Sequence, residues 1–111
     1  MSSLSSKSPL VYGDAKVRVG ERGLISLTDM WDAAGHPAGK DDPRRWNIRA
    51  GAEFIDFIAK KLNVAAGDIY LTKRGRYGGG TWAHWQIAIS YAKYLSPEFH
   101  AWANQVVKER M

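Results

Sequence analysis

The chain has 111 residues, 45% of them hydrophobic, with five tryptophans, no cysteine and a formal net charge of +5. That fits one small domain with one modest core. It excludes a disulfide framework and a thiolate metal site, and no apolar run approaches the roughly 20 residues of a membrane helix.

The opening stretch MSSLSSKSPL, residues 1–10, has no apolar h-region of a signal peptide and reads as a disordered Ser-rich leader. The domain is then expected over residues 11–111. Ala15, Val17 and Val19 alternate with Lys16 and Arg18, the pattern of a half-buried strand. Gly20–Gly23 is a turn and Leu24–Leu27 a second strand, so this pair reads as a hairpin. A short helix follows in TDMWDAAG, with Thr28 or Ser26 as its N-cap and Gly35 as its stop. Asp29 lies at the positive end of its dipole. Asp42 caps the next helix and Pro43 occupies its first turn, where a missing N–H costs nothing. Gly51 breaks or bends it.

AEFIDFIAKKLNV resumes as an amphipathic helix, with Phe54, Ile55, Ile58 and Leu62 on one face, and AAGD ends it. IYLTK is strand-like, Gly78–Gly80 form a bend, and TWAH is the returning strand. Trp85, Ala88, Ala92 and Leu95 mark another helix. Ser96 caps the last one, with Pro97 in its first turn and Phe99, Trp102, Val106 and Arg110 at helical spacing. Two hairpins and four to five helices make an α+β fold. A short helix, a loop and a second helix that opens with arginines resembles a helix-turn-helix, and the basic hairpin after it resembles a wing.

Charge is unevenly placed. Ile69–Pro97 contains no acidic residue but holds Lys73, Arg74, Arg76 and Lys93; Pro43–Ala52 is also acid-free and holds Arg44, Arg45 and Arg49. Lys73, Arg74 and Arg76 can each meet a phosphate or a base edge, and Tyr77 beside them can stack or pack along a sugar. The bland alternative is a solvated turn whose charge only keeps the protein soluble. A flexible tip costs ordering entropy on binding, and the second basic cluster favours DNA contact. In the helix, Asn47 suits adenine, while Arg44, Arg45 and Arg49 suit phosphate or guanine. Successive residues point about 100° apart, so they do not all face one groove. The competing role is to balance Asp41, Asp42 and Asp56. Trp46, Trp82 and Trp102 sit at inward positions and read as core rather than base-stacking platforms. Trp82, with Trp85 as a second candidate, roots the basic tip.

Four stretches, in order, resemble the KilA-N domain: ISLTDMWDAAG (Ile25–Gly35), RRWNIR (Arg44–Arg49), GGGTWAHW (Gly78–Trp85) and LSPEFHAW (Leu95–Trp102). That family occurs in phage, bacterial and large DNA-virus proteins and is similar to the APSES domain of fungal transcription factors. The resemblance implies a winged-helix-like double-stranded DNA binder with no catalytic centre, cofactor or small-molecule substrate. It puts the helix opening at Pro43 in the recognition position and Lys73–Tyr77 at the wing tip. One departure is that the family usually has Pro after the His of the Gly-Thr-Trp motif, where this chain has Trp85. The expected setting is the cytoplasm of a bacterial host, bound to DNA.

An enzyme is the rival class. His36, His84 and His100 lack the spacing of a zinc site. Asp29 and Asp32 lie three apart and would suit a metal-dependent nuclease, but capping and solvation explain them more simply. GRYGGGTW lacks the Lys and helix of a P-loop. A protein-interaction module is the stronger alternative, since the charged end VVKERM fits a piece of a longer regulator. Target site and oligomeric state stay open.

Overall fold

A computed structural model describes residues 8–75 and 79–110. The fold is α+β. Strands β1 (Leu10–Tyr12) and β2 (Ala15–Val17) form a two-stranded antiparallel sheet with Leu10 opposite Val17. Strands β3 (Ile25–Ser26), β4 (Tyr70–Lys73) and β5 (Gly80–Ala83) form a second antiparallel sheet in the order β3-β5-β4. The helices are α1 (Leu27–Ala33), α2 (Pro43–Ile48), α3 (Ala52–Leu62), α4 (Ala66–Ile69), α5 (Trp85–Leu95) and α6 (Pro97–Arg110).

The first hairpin differs from the one read in the sequence. β2 pairs backward with β1 across Gly13-Asp14, a two-residue turn with Gly13 at φ 61°. Such a turn matches the twist of its strands better than the longer Gly20–Gly23 link. Leu10 and Val17 are thereby both buried, so Leu10, assigned to the leader in the sequence reading, opens a strand. What remains of the expected pairing is a single bridge, Val19 to Ile25, and a bond from Ser26 N–H to the Arg18 carbonyl. β3 instead pairs with β5, with Ile25 opposite Ala83 and Ser26 opposite Trp82. Ser26, not Thr28, caps α1, its hydroxyl accepting from Asp29 N–H at 3.1 Å.

Helix α5 is the centre of the core. Ile87, Ala88, Tyr91, Ala92 and Leu95 are all buried, and α6 packs on it through Phe99, Ala103 and Val107. Ser96 starts α6 by accepting from Phe99 N–H. Trp85 takes the first helical position of α5, a place that would also suit a proline. α3 buries Ile55, Ile58 and Ala59, whereas Leu62 is 40% exposed, because the helix ends there on a left-handed Asn63. The stretch expected only to end α3 folds as the separate one-turn α4.

α2 has six residues, too few to be stable alone. Asp42 caps it by accepting from Arg45 N–H at 3.0 Å, and Pro43 fills its first turn. Its inward residue is Trp46, 2% exposed and 4.9 Å from the ring of Tyr91. Gly51 gives Trp46 its room. A Cβ on Gly51 would stand 2.5 Å from the Trp46 ring. The Gly51 backbone, at φ −91° and ψ −9°, suits any residue. Alanine there should therefore stabilise by propensity and destabilise by overpacking. The overlap decides the sign, so Gly51→Ala should lose about 1–3 kcal/mol in urea unfolding. A gain in stability would show that Trp46 is not packed against this turn.

Candidate nucleic-acid interface

Three phenols hold the entry to α2, two on the loop ahead of it and one on its first residue. Tyr91 O–H donates to the Asp41 carbonyl at 2.9 Å, and Asp41 N–H donates to the Tyr94 hydroxyl at 2.6 Å. Tyr70 O–H, from β4, donates to the Pro43 carbonyl at 2.7 Å. Burial pushes the Tyr70 phenol up to about 12, and burial also drives Tyr91 upward. Both remain protonated donors at any ordinary pH. The Tyr70 bond ties α2 directly to the β4–β5 hairpin.

That hairpin is the proposed wing. Thr72 faces Thr81 and Lys73 faces Gly80 across the ladder. Glycine is required at its narrow end. Gly75 and Gly80 have φ of 128° and 121°, and a Cβ on Gly79 would collide with the Gly75 carbonyl. Trp82, 7% exposed, anchors the base of β5, as the sequence reading expected.

Between α1, α2 and the hairpin lies a cleft of about 360 Å³. Arg44, Lys73 and Arg74 line it together with Thr28, Trp31 and Asp42. Cations from two separate stretches of sequence, Arg44 on α2 and Lys73 and Arg74 on the hairpin, thus line one cleft. Asp42 is its acidic member, and one of its carboxylate oxygens is already taken as the α2 cap. A larger depression, about 560 Å³, lies among α3, α5 and α6 and is lined by residues including Phe54, Trp85, Ile89, Lys93 and His100. It has one lysine and no arginine, so charge, not size, marks the first cleft for an anion.

The other sequence-derived candidates fall elsewhere. Arg49 pairs with Asp41 at 3.4 Å, the balancing role weighed against DNA contact. Arg45 is exposed and Asn47 half-buried, and neither lines the cleft. Arg76 and Tyr77 lie outside the described residues. The two aspartates of the nuclease alternative have other duties. Asp29 binds Arg18 at 2.8 Å, and Asp32 binds His36 at 2.7 Å.

Sequence reasoning missed Trp31 and Ile48. Trp31 lines the cleft and stacks on His36 at 4.7 Å between centroids. Ile48, one helical turn from Arg44, is 72% exposed. A large apolar residue on the outer side of so short a helix was the available signal.

The geometry defines a small α+β domain with a cationic cleft between a short capped helix and a β-hairpin. The KilA-N domain family model matches residues 11–111, and the chain belongs to that family of DNA-binding domains. No curated protein and no solved structure matches it.

The join between hairpin and core contains a titratable cap. His84 caps α5, its Nδ1 accepting from Gln86 N–H at 3.1 Å, so the capping ring is neutral at that nitrogen. Burial lowers its pKa below the ordinary value. A lowered folded-state pKa gives stability that is full above the unfolded value, about 6.5, and that is lost as pH falls through the folded value. Asparagine caps as well without titrating. Between pH 7.5 and 5, the melting temperature of His84→Asn should fall less than that of the natural chain. Equal falls would remove His84 from the account.

Proposed function

We propose that the chain is a double-stranded DNA-binding domain of a phage or prophage regulatory protein, acting in the cytoplasm of a bacterial host. It uses a helix-turn-helix-like element, α1 and α2, and a basic Gly-rich wing. The observation that carries this reading is the convergence of Arg44, Lys73 and Arg74 on one cleft. The connection from Ala34 to Asp42 is longer than the roughly three- or four-residue turn of a helix-turn-helix, so the likeness lies in the placement of α2. The phage setting rests on the family resemblance alone.

In this reading Lys73 and Arg74 follow the phosphates. Arg44 meets a phosphate or guanine, Asn47 reaches an adenine edge, and Ile48 offers an apolar surface to a thymine methyl. Arg45 and Arg49 serve the flanking backbone, Arg49 once it leaves Asp41. Arg76 and Tyr77, outside the described residues, are taken as further duplex contacts on their chemistry alone. α2 is held rigidly from beneath, which suits it to hold base-edge geometry, whereas the glycine-bounded hairpin suits looser backbone contact.

If five to seven phosphates are neutralised, log K for a duplex should fall against log salt with a slope of about −5 to −6. Lys73→Ala and Arg74→Ala should each reduce that slope by about one unit and weaken all duplexes alike. Asn47→Ala should instead change the preference among duplexes. Fluorescence anisotropy on a selected and a scrambled duplex measures all three. A slope near zero would overturn the electrostatic reading.

A further inference from the structure

β5 outruns its neighbour on one side. β3 supplies ladder partners only for Ala83 and Trp82, and the chain then turns into α1. Gly79 and Thr81 lie beyond the last pair on that side, where backbone groups need other partners. Two side chains stand where the missing strand would be. The Thr28 hydroxyl accepts from Thr81 N–H at 3.0 Å. Arg18 Nη2 donates to the Gly79 carbonyl at 3.3 Å, and the same guanidinium lies 5.1 Å from the Trp82 ring centroid.

Arg18 is itself fixed. Its Nε donates to Asp29 Oδ2 at 2.8 Å and its Nη2 to Oδ1 at 3.1 Å, a fork on one carboxylate. Its backbone N–H adds a third bond to Oδ2 at 2.9 Å. Asp29 is held by α1, because its own amide is bound by the Ser26 cap. A rigid path therefore runs from α1 through Asp29 and Arg18 to the carbonyl that precedes Gly80. Gly80 and Thr81 form part of the cleft wall opposite Arg44.

We propose that Arg18 is a positioning residue: together with Asp29 it sets the pitch of the hairpin against α2 and so controls DNA affinity without touching DNA. This rests on the reading that the wing binds DNA. The Arg18 charge is met by Asp29, so Arg18 offers a phosphate little. Its use is the planar fork, which reaches a carboxylate and a carbonyl at once and lies flat on an indole. Lysine, a single flexible point charge, does not reproduce that.

The test is a double-mutant cycle on the full chain at one salt concentration, below the melting temperature of every variant. Arg18→Lys keeps the charge and loses the fork, and it should weaken duplex binding about tenfold, within the usual range of coupled neighbours. Asp29→Asn should do the same while the Ser26 cap keeps α1 in place. In a Lys73→Ala/Arg74→Ala background, Arg18→Lys should change affinity by less than about twofold, since a wing without its cations has nothing to position. Additive losses would make Arg18 a direct DNA contact and overturn the proposal, as would full affinity in Arg18→Lys. A second readout needs no DNA. In 15N relaxation, the amides of Gly79 and Thr81 should become more mobile in Arg18→Lys; unchanged order there also overturns it. If the Lys73→Ala/Arg74→Ala chain binds DNA normally while Gly79 and Thr81 loosen as expected, the wing's DNA role fails and the positioning of the hairpin stands.

Discussion

Trp46 and the turn of chain beneath it carry the site. α2 is six residues long, and helix nucleation makes so short a piece unstable unless something else holds its shape. Here the indole is driven into the core against Tyr91, and Gly51 leaves the space for it. The Asp42 cap and the three phenols then satisfy the backbone on either side of the entry. Removing a phenol would leave a partly buried carbonyl or amide without its partner, which costs more than the bond itself contributes. The outer face of α2 is thus free to be polar and cationic, because none of its stability comes from there.

The hairpin meets the same problem in β form. Two strands are marginal on their own, and β5 has an outer neighbour for only half its length. Tyr70 links it to α2, Thr28 and Arg18 substitute for the missing strand, and Trp82 buries its base. Both elements that flank the cleft therefore borrow their rigidity from α1 and α5. The cleft between them is organised before any ligand arrives, which lowers the ordering cost of binding. The charges are sorted accordingly. Arg18 and Arg49 are paired with aspartates, while Arg44, Lys73 and Arg74 line the cleft.

Local chemistry was legible in the sequence, and long-range pairing was not. Asp42-Pro43, Ser96-Pro97 and the inward Trp46 and Trp82 follow from capping rules and from where aromatics fall in each element. The partner of β3 does not, because Ile25 and Ala83 meet only after most of the chain has folded back. Hydrophobic alternation in residues 15–27 fits either pairing equally well. The choice between Ser26 and Thr28 as cap was decided by the sheet, which takes the Thr28 hydroxyl for Thr81. Arg18 looked like the solvent side of a strand, and nothing near it in sequence announces the Asp29 fork. Of the eight DNA-contact candidates, those that share the cleft came from two separate basic stretches. The sequence marks each stretch but not that Tyr70 joins them.

The most direct test of the account is an NMR titration of 15N-labelled protein with a short duplex. Amide shifts should concentrate at Arg44, Lys73, Arg74, Gly80 and Thr81, with Trp31 following. Ile89, Lys93 and His100, which line the larger depression among α3, α5 and α6, should stay in place. Shifts centred on that depression, with the cleft unmoved, would contradict the assignment of the α2–hairpin cleft as the DNA-binding surface.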